Sequence, residues 1–232
     1  MIVGPSYRGF NNIDPDRIRP SDLWPGVAGL DRFHTKDATR GVAVEGISMM
    51  QRVVDVTSDV INNVNAGQLN QPTLCTEWTV KDLINHMVGG STMFAISVED
   101  GSVPDEMLGQ LMGGDNVGDD PQGAWAQSSK RAMAAFNSPG AMDKTVKLPF
   151  GEMPAGIALN IAIFDVATHA ADLARATGQH VSDTEMLEGA LGVGQQMIGP
   201  DLRVPGVFGA EQSCSDKASA EDRLLAFAGR KI

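Results

Sequence analysis

Apolar residues recur every three or four positions along much of this chain, the spacing that places them on one face of an α-helix. The pattern predicts a first helix that begins at Glu45 and ends at Gly67. A second helix follows a polar linker, because Thr79 and Asp82 have the spacing of an N-terminal capping box. Its apolar stripe consists of Val80, Leu83, Ile84, Met87 and Val88.

The remaining chain predicts four more helices and one short extended segment. The helices are expected at 122–137, 154–177 and 184–198, and after a capping box formed by Ser219 and Asp222. Residues 146–150 are expected to be extended, and the glycine pair at 89–90 to weaken or end the second helix. Residues 99–120 carry seven carboxylates and no basic residue, and a solvated loop is expected there.

These elements indicate a mainly α fold, an up-and-down bundle with short additions, formed by residues 46–232. Residues 1–45 contain four of the 12 prolines and no sustained period. We expect them to form an irregular N-terminal extension whose aromatic side chains dock on the main domain. The alternative is that the natural chain starts at Met49 or Met50, where the helical period begins.

The composition argues against several classes of partner and indicates a cellular compartment. The net charge of −11 argues against a nucleic-acid binder and against an anionic membrane surface. No apolar run approaches the roughly 20 residues of a membrane span, and no secretory signal is visible, so neither is expected. Two cysteines form no disulfide framework and suit a reducing, cytoplasmic environment.

Candidate chemistry lies on the long helix predicted at 154–177. Asp165 and His169 are four residues apart, and Asp172 returns to the same stripe, among apolar neighbours. A buried carboxylate must be paired, hydrogen-bonded or metal-bound, so a structural Asp–His pair and a metal half-site both remain open. His86 on the second helix favours metal, because two imidazoles and one carboxylate suit a divalent ion with open coordination positions.

A resemblance to a known family is carried by three segments: PTLCTEWTVKDLINHMVGG, LPFGEMPAGIALNIAIFDVATHAADLARATGQ and EDRLLAFAGRKI. They resemble actinobacterial metal-binding proteins of the DinB-like superfamily, close to the N-terminal domain of mycothiol-dependent maleylpyruvate isomerases. The resemblance covers residues 46–232. It implies an antiparallel four-helix bundle that holds one divalent metal, usually zinc, through His86, Asp165 and His169.

The resemblance also has limits. The isomerases place Glu where this chain has Asp165, and the family often has a bulky aromatic residue where Ala171 stands. The isomerases have a substantial C-terminal domain that this chain lacks the length to match, so isomerase activity is not carried over. Asp172 matches a position that would orient a ligand imidazole, or it is a buried cap or a partner for an arginine.

Other side chains receive weaker expectations. Cys75 is expected to be a small buried hydrophobe rather than a reactive thiol, because no basic cluster surrounds it in the sequence. Arg175 is expected to pair with a carboxylate or to meet an anionic substrate. Trp78 is expected to anchor the core. His34 and His180 are assigned to the surface with no role.

Two functions follow from these residues and the resemblance. The first is a metal-assisted thiol transferase, in which the metal-bound thiolate of mycothiol attacks an electrophilic substrate. The alternative is a non-catalytic metal-binding or stress-associated bundle. For such a bundle, a homodimer that forms through a helix face is a further expectation. A metal-free bundle, in which Asp165 and His169 simply pair, is the third option.

Overall fold

The computed structural model describes residues 36–149, 151–200, 203, 209–215 and 217–232, with side chains from residue 45 onward. Within these residues the fold is mainly α, as the apolar periodicity predicts. The helices are α1 (Lys36–Asn62), α2 (Val80–Asp100), α3 (Asp105–Gly113), α4 (Pro121–Phe136), α5 (Ala155–Ala176), α6 (Thr184–Met197) and α7 (Ala220–Phe227). The strands are β1 (Thr145–Leu148) and β2 (Gly151–Pro154).

The first helix begins earlier than predicted. α1 starts at Lys36, whereas the apolar period starts only around Glu45. The helix is therefore longer than its apolar face, and periodicity misses its first turns. The predicted irregular extension lies mostly in residues 1–35, outside the described residues, and it stays a prediction together with the docking of its aromatic side chains.

Four long helices form the bundle. α2 packs against α4 and α5, and α1 packs against the same two helices, so the contacts close into a ring. This arrangement places α1 diagonal to α2, and α4 diagonal to α5. α6 and α7 pack on each other and on α5, as the predicted C-terminal additions. α5 therefore touches α1, α2, α6 and α7 and is buried on nearly all sides.

The burial of α5 explains its composition. This helix is long and apolar enough to cross a membrane, contrary to the expectation from the sequence. However, 89% of its apolar 18-residue window is buried inside the protein. A helix that is apolar all round is typical of a protein core as well as of a membrane span. The polar residues Asp165, His169 and Asp172 are thus held in the interior by this helix.

The glycine pair does not end α2, which continues to Asp100 and stops at Gly101 in a left-handed conformation. A Cβ at Gly89 would clash with the carbonyl oxygen of Leu111 at the end of α3. Gly89 is thus required for close packing of two helices, and this contact is invisible in local sequence. The start of α2 is as predicted, since Thr79 and Asp82 form a complete capping box.

The acidic stretch at 99–120 is not all loop. Its middle forms α3, whose first turn carries Asp105 and Glu106, where carboxylates interact favourably with the helix dipole. Leu111 is buried, and Leu108 and Met112 pack against the core. Short length and many carboxylates conceal this helical spacing. The prediction of a loop over the whole stretch was wrong.

A small hairpin leads into α5. β1 and β2 pair antiparallel, with Val146 opposite Met153, and both side chains are buried. The segment predicted to be extended is therefore one strand of a two-stranded sheet. The hairpin contacts α2 and α5, and it covers the start of the helix that carries the candidate chemistry.

Candidate metal centre

Three side chains from two helices meet inside the bundle. α5 presents Asp165 and His169 one turn apart, and α2, which packs on α5, brings His86 to them. Asp165 Oδ2 lies 3.7 Å from His86 Nε2, and Asp165 Oδ1 lies 3.6 Å from His169 Nε2. We call these three residues the ligand cluster. One donor atom from each lies within 4.8 Å of the others, a spacing compatible with one metal ion.

The imidazoles of the ligand cluster carry buried nitrogens without partners. Nε2 of His86 and Nε2 of His169 have no hydrogen-bond partner among the described residues, although both atoms are buried. Their distances to the Asp165 carboxylate exceed hydrogen-bond length. An unsatisfied buried polar atom costs about 1–3 kcal/mol, so such a pair needs an explanation. A divalent ion between these atoms would satisfy both nitrogens, and the donor set fits it.

Trp78 covers the imidazoles. Its ring centroid lies 4.8 Å from that of His86 and 6.0 Å from that of His169, and the two imidazoles are 4.9 Å apart. Trp78 immediately precedes the capping box of α2, so the cap that starts the helix also positions this ring. The side chain of His86 is 11% exposed and that of His169 is fully buried. The exposed part of the His86 ring therefore lies nearest to solvent, whereas the Nε2 atoms of both imidazoles are buried.

The opposite nitrogen of His169 is firmly held. Nδ1 of His169 lies 3.0 Å from Oδ2 of Asp172, one turn further along α5. Because a carboxylate accepts hydrogen bonds, Nδ1 carries the proton and the lone pair lies on Nε2. Burial lowers the pKa of His169 to about 4, which keeps the imidazole neutral near pH 7. His169 thus presents an unprotonated nitrogen to the ligand cluster.

Asp172 is held by an arginine near the end of the chain. Arg230 Nη2 donates to Asp172 Oδ2 at 2.6 Å, and Arg230 Nε donates to Oδ1 at 3.0 Å. Burial alone would raise the pKa of Asp172, but the guanidinium and His169 hold this pKa well below its usual range. Asp172 therefore contacts the imidazole of His169 and pairs with an arginine, and its role in orienting a metal ligand stays a prediction.

Cys75 completes the polar group behind His169. The thiol is 1% exposed, and Sγ donates to Asp172 Oδ2 at 3.2 Å. Burial and the Asp172 carboxylate raise the pKa of Cys75 to about 12, so the thiol is protonated and unreactive near pH 7. We call Cys75, Asp172 and Arg230 the rear cluster.

Arg230 was not predicted as a site residue. It sits beyond α7, 58 residues from Asp172, and no local spacing connects the two. One signal was present in the sequence. Asp172 falls on a buried stripe, and a buried carboxylate requires a partner such as arginine. The packing of α7 on α5 decides which arginine of the chain meets Asp172.

Arg175 lies away from the ligand cluster. Its Nη2 donates to Asp222 Oδ1 at 2.6 Å and lies 3.5 Å from Glu221 Oε1. These residues line a separate cavity of about 510 Å³ between the end of α5 and the starts of α6 and α7. His180 lies at the same cavity with its side chain 80% exposed, in agreement with its assignment to the surface. His34 lies outside the described residues.

Comparison with known sequences identifies the family. Residues 50–174 match the model of the mycothiol maleylpyruvate isomerase N-terminal domain, and this range includes all three residues of the ligand cluster. The chain belongs to this family. It is also similar to the uncharacterized proteins Rv0738 and MT0763 of Mycobacterium tuberculosis strains H37Rv and CDC 1551. Each is 36% identical over 188 residues, which cover 78% of this chain and 96% of the relative.

Solved structures show the same fold. A mutant of the mycothiol-dependent maleylpyruvate isomerase superposes with a TM-score of 0.55 at 17% identity, over 65% of this chain and 67% of that one. Another structure of the mycothiol-dependent maleylpyruvate isomerase gives a TM-score of 0.52 at 18% identity, over 64% and 69% of the two chains. The helical bundle is therefore shared with these isomerases, as the resemblance of the three segments implied.

Proposed function

We propose that this protein binds one divalent metal ion at the ligand cluster and uses a thiol of the mycothiol type there. The observation that carries the proposal is the pair of buried, unpartnered Nε2 atoms of His86 and His169, which face the same carboxylate. Neutral imidazole and carboxylate groups are ligands that zinc prefers, and three protein ligands leave room for a further ligand. Zinc is therefore the proposed metal.

Each neighbouring side chain contributes a separate property. Asp165 supplies one negative charge, so a divalent site made with two neutral imidazoles keeps a net positive charge that favours an anionic ligand. A divalent ion held there would bind a thiol sulfur and stabilise its thiolate near neutral pH. Asp172 holds His169 in the required tautomer, and Trp78 limits access of water to the two imidazoles.

The family supports the identity of the thiol. The matched domain is described as that of a mycothiol maleylpyruvate isomerase, and the structural relatives are mycothiol-dependent. We therefore propose mycothiol as co-substrate and an electrophilic small molecule as acceptor, in a transferase reaction. A reducing cytoplasm is the proposed location, because Cys75 and Cys214 are both free thiols.

The test has two stages. Protein purified without a His-tag is first analysed for bound metals, and about one divalent ion per chain is expected. The cobalt-substituted protein is then titrated with mycothiol, and the visible spectrum should change as sulfur enters the coordination sphere. The absence of any stoichiometric metal would refute the proposal. An H180A variant provides the matched control, because His180 is exposed and should leave metal content unchanged.

A non-catalytic metal-binding bundle is the second candidate, and one observation favours it. The side chains of His86, Asp165 and His169 are 11%, 5% and 0% exposed, which leaves little open surface for a substrate. This candidate predicts that cobalt binds but that mycothiol leaves its spectrum unchanged. The same titration therefore distinguishes the two functions.

A further inference from the structure

His169 belongs to two overlapping sets of metal-ligating side chains. Its Nε2 atom faces the ligand cluster, formed with His86 and Asp165. Its Nδ1 atom faces Cys75 and Asp172, which lie at 3.8 Å and 3.0 Å from that nitrogen. In each set the candidate ligand atoms lie within 4.8 Å of one another. Residue type and spacing alone therefore allow a metal on either side of the same imidazole.

Arg230 forms hydrogen bonds with the second set. Its guanidinium donates to both carboxylate oxygens of Asp172, and its Nη2 lies 3.4 Å from the Cys75 sulfur. A further hydrogen bond, from Nη1 to the carbonyl oxygen of Ala228 at 3.0 Å, fixes the guanidinium to the local backbone. The side chain is 1% exposed, so no solvent screens its charge.

A fixed cation in this position has three effects. It repels a metal ion from Cys75 and Asp172, and it neutralises the carboxylate that a metal would otherwise use. It also keeps Asp172 oriented toward Nδ1 of His169, which leaves the lone pair of Nε2 for the ligand cluster.

We propose that Arg230 selects between the two ligand sets, excluding metal from Cys75 and Asp172 and holding His169 with Nε2 toward His86 and Asp165. Arg230 is thus a positioning residue that acts through Asp172. This inference rests on the proposed function of the ligand cluster. Without the guanidinium, Cys75, His169 and Asp172 become a set of a kind that binds zinc or cobalt. Metal binding there releases the thiol proton to solvent, and Nδ1 of His169 gives up its proton while Nε2 takes one.

Cobalt titration of four proteins tests the selection: the unmodified chain, C75S, R230Q and the C75S/R230Q double variant. The unmodified chain and C75S should bind cobalt alike, without a sulfur-to-cobalt charge-transfer band. R230Q should acquire that band. The double variant should lose it again and bind cobalt about tenfold to hundredfold more weakly than C75S, the range observed when partners of ligand imidazoles are removed.

Each contrary result has a defined meaning. A sulfur band in the unmodified chain would overturn the selection, because Cys75 would then bind metal in the presence of Arg230. An R230Q variant that matches the unmodified chain in spectrum and affinity would overturn it as well, while the proposed function stands. If the unmodified chain binds no cobalt but R230Q binds it through sulfur, the proposed function fails and the exclusion by Arg230 is supported. If neither binds cobalt, both fail.

A second variant addresses folding. Loss of the guanidinium leaves Asp172 buried without its charge partner, so R230Q must first show a cooperative melt and the helical circular dichroism of the unmodified chain. R230K retains the positive charge but not the planar fork. It should show no sulfur band and a weakened cobalt affinity. A sulfur band in R230K would contradict exclusion by charge. The comparison of C75S with the unmodified chain involves no change at Arg230, so it does not depend on the folding of an Arg230 variant.

Discussion

The two sides of His169 differ in how their polar atoms are satisfied. On the rear side, Asp172 accepts hydrogen bonds from His169, Arg230 and Cys75, and the charges of Asp172 and Arg230 compensate each other. On the opposite side, which faces the ligand cluster and which we call the front, the Nε2 atoms of His86 and His169 are buried without partners among the described residues. A satisfied buried network stabilises one conformation, whereas unsatisfied buried nitrogens mark a place for something that the polypeptide does not supply.

Removing the shared imidazole should have the largest effect. H169A deletes one of the three proposed ligands, and we expect stoichiometric metal binding to be abolished, as measured by metal analysis and isothermal titration. H180A, which removes an exposed histidine, should retain full binding. Full metal occupancy in H169A would show that the front of His169 is not a metal site.

Breaking the buried ion pair of the rear cluster should reduce stability. D172A leaves the buried Arg230 guanidinium without its carboxylate, and we expect the free energy of unfolding to fall by about 3–5 kcal/mol in urea denaturation. D222A removes the carboxylate that pairs with the more exposed Arg175 and should cost no more than about 1 kcal/mol. Equal losses in the two variants would show that burial does not distinguish these ion pairs.

Acid should weaken the metal-free protein through His169. The pKa of this imidazole is about 4 in the folded chain because of burial, against about 6.5 in an unfolded chain. The unfolded state therefore binds more protons between these values, so stability is complete above about pH 6.5 and falls as the pH drops toward 4. The loss should reach about 3 kcal/mol.

Urea denaturation with a chelator at pH 7 and near pH 4.5 measures this loss. H180Q should lose the same amount of stability between these two pH values, because His180 is exposed in the folded chain. A stability that does not change over this interval would contradict a neutral buried His169. Below about pH 4, protonation of Asp172 adds a further loss, since its pKa lies well below the usual range only in the folded state.

Metal bound at the ligand cluster should stabilise the folded protein by a smaller amount. At a free zinc concentration one hundredfold above Kd, the free energy of unfolding should rise by about 2.7 kcal/mol, and a chelator should reverse the gain. The melting temperature of H86A should respond much less to zinc. Equal stabilisation of H86A and the unmodified chain would place the bound metal outside the ligand cluster.

Local pattern was sufficient for most helices and insufficient for some boundaries. The cap at Thr79 and the apolar stripe of α5 act over one or two turns, so sequence predicts them directly. Gly89 was expected to weaken or end α2, whereas it allows a close contact with Leu111 of another helix. α3 was missed because its apolar face is short and lies in an acidic stretch.

The sequence by itself determined that Asp165, His169 and Asp172 share one helix face and that this face is apolar, because helical geometry relates residues three and four apart. It also implied the family, through three segments in order. Only the tertiary structure decided that His86 meets Asp165 and that Arg230 meets Asp172, because these contacts depend on how α2 and α7 pack against α5. The same packing decided that one nitrogen of His169 is satisfied and the other is not.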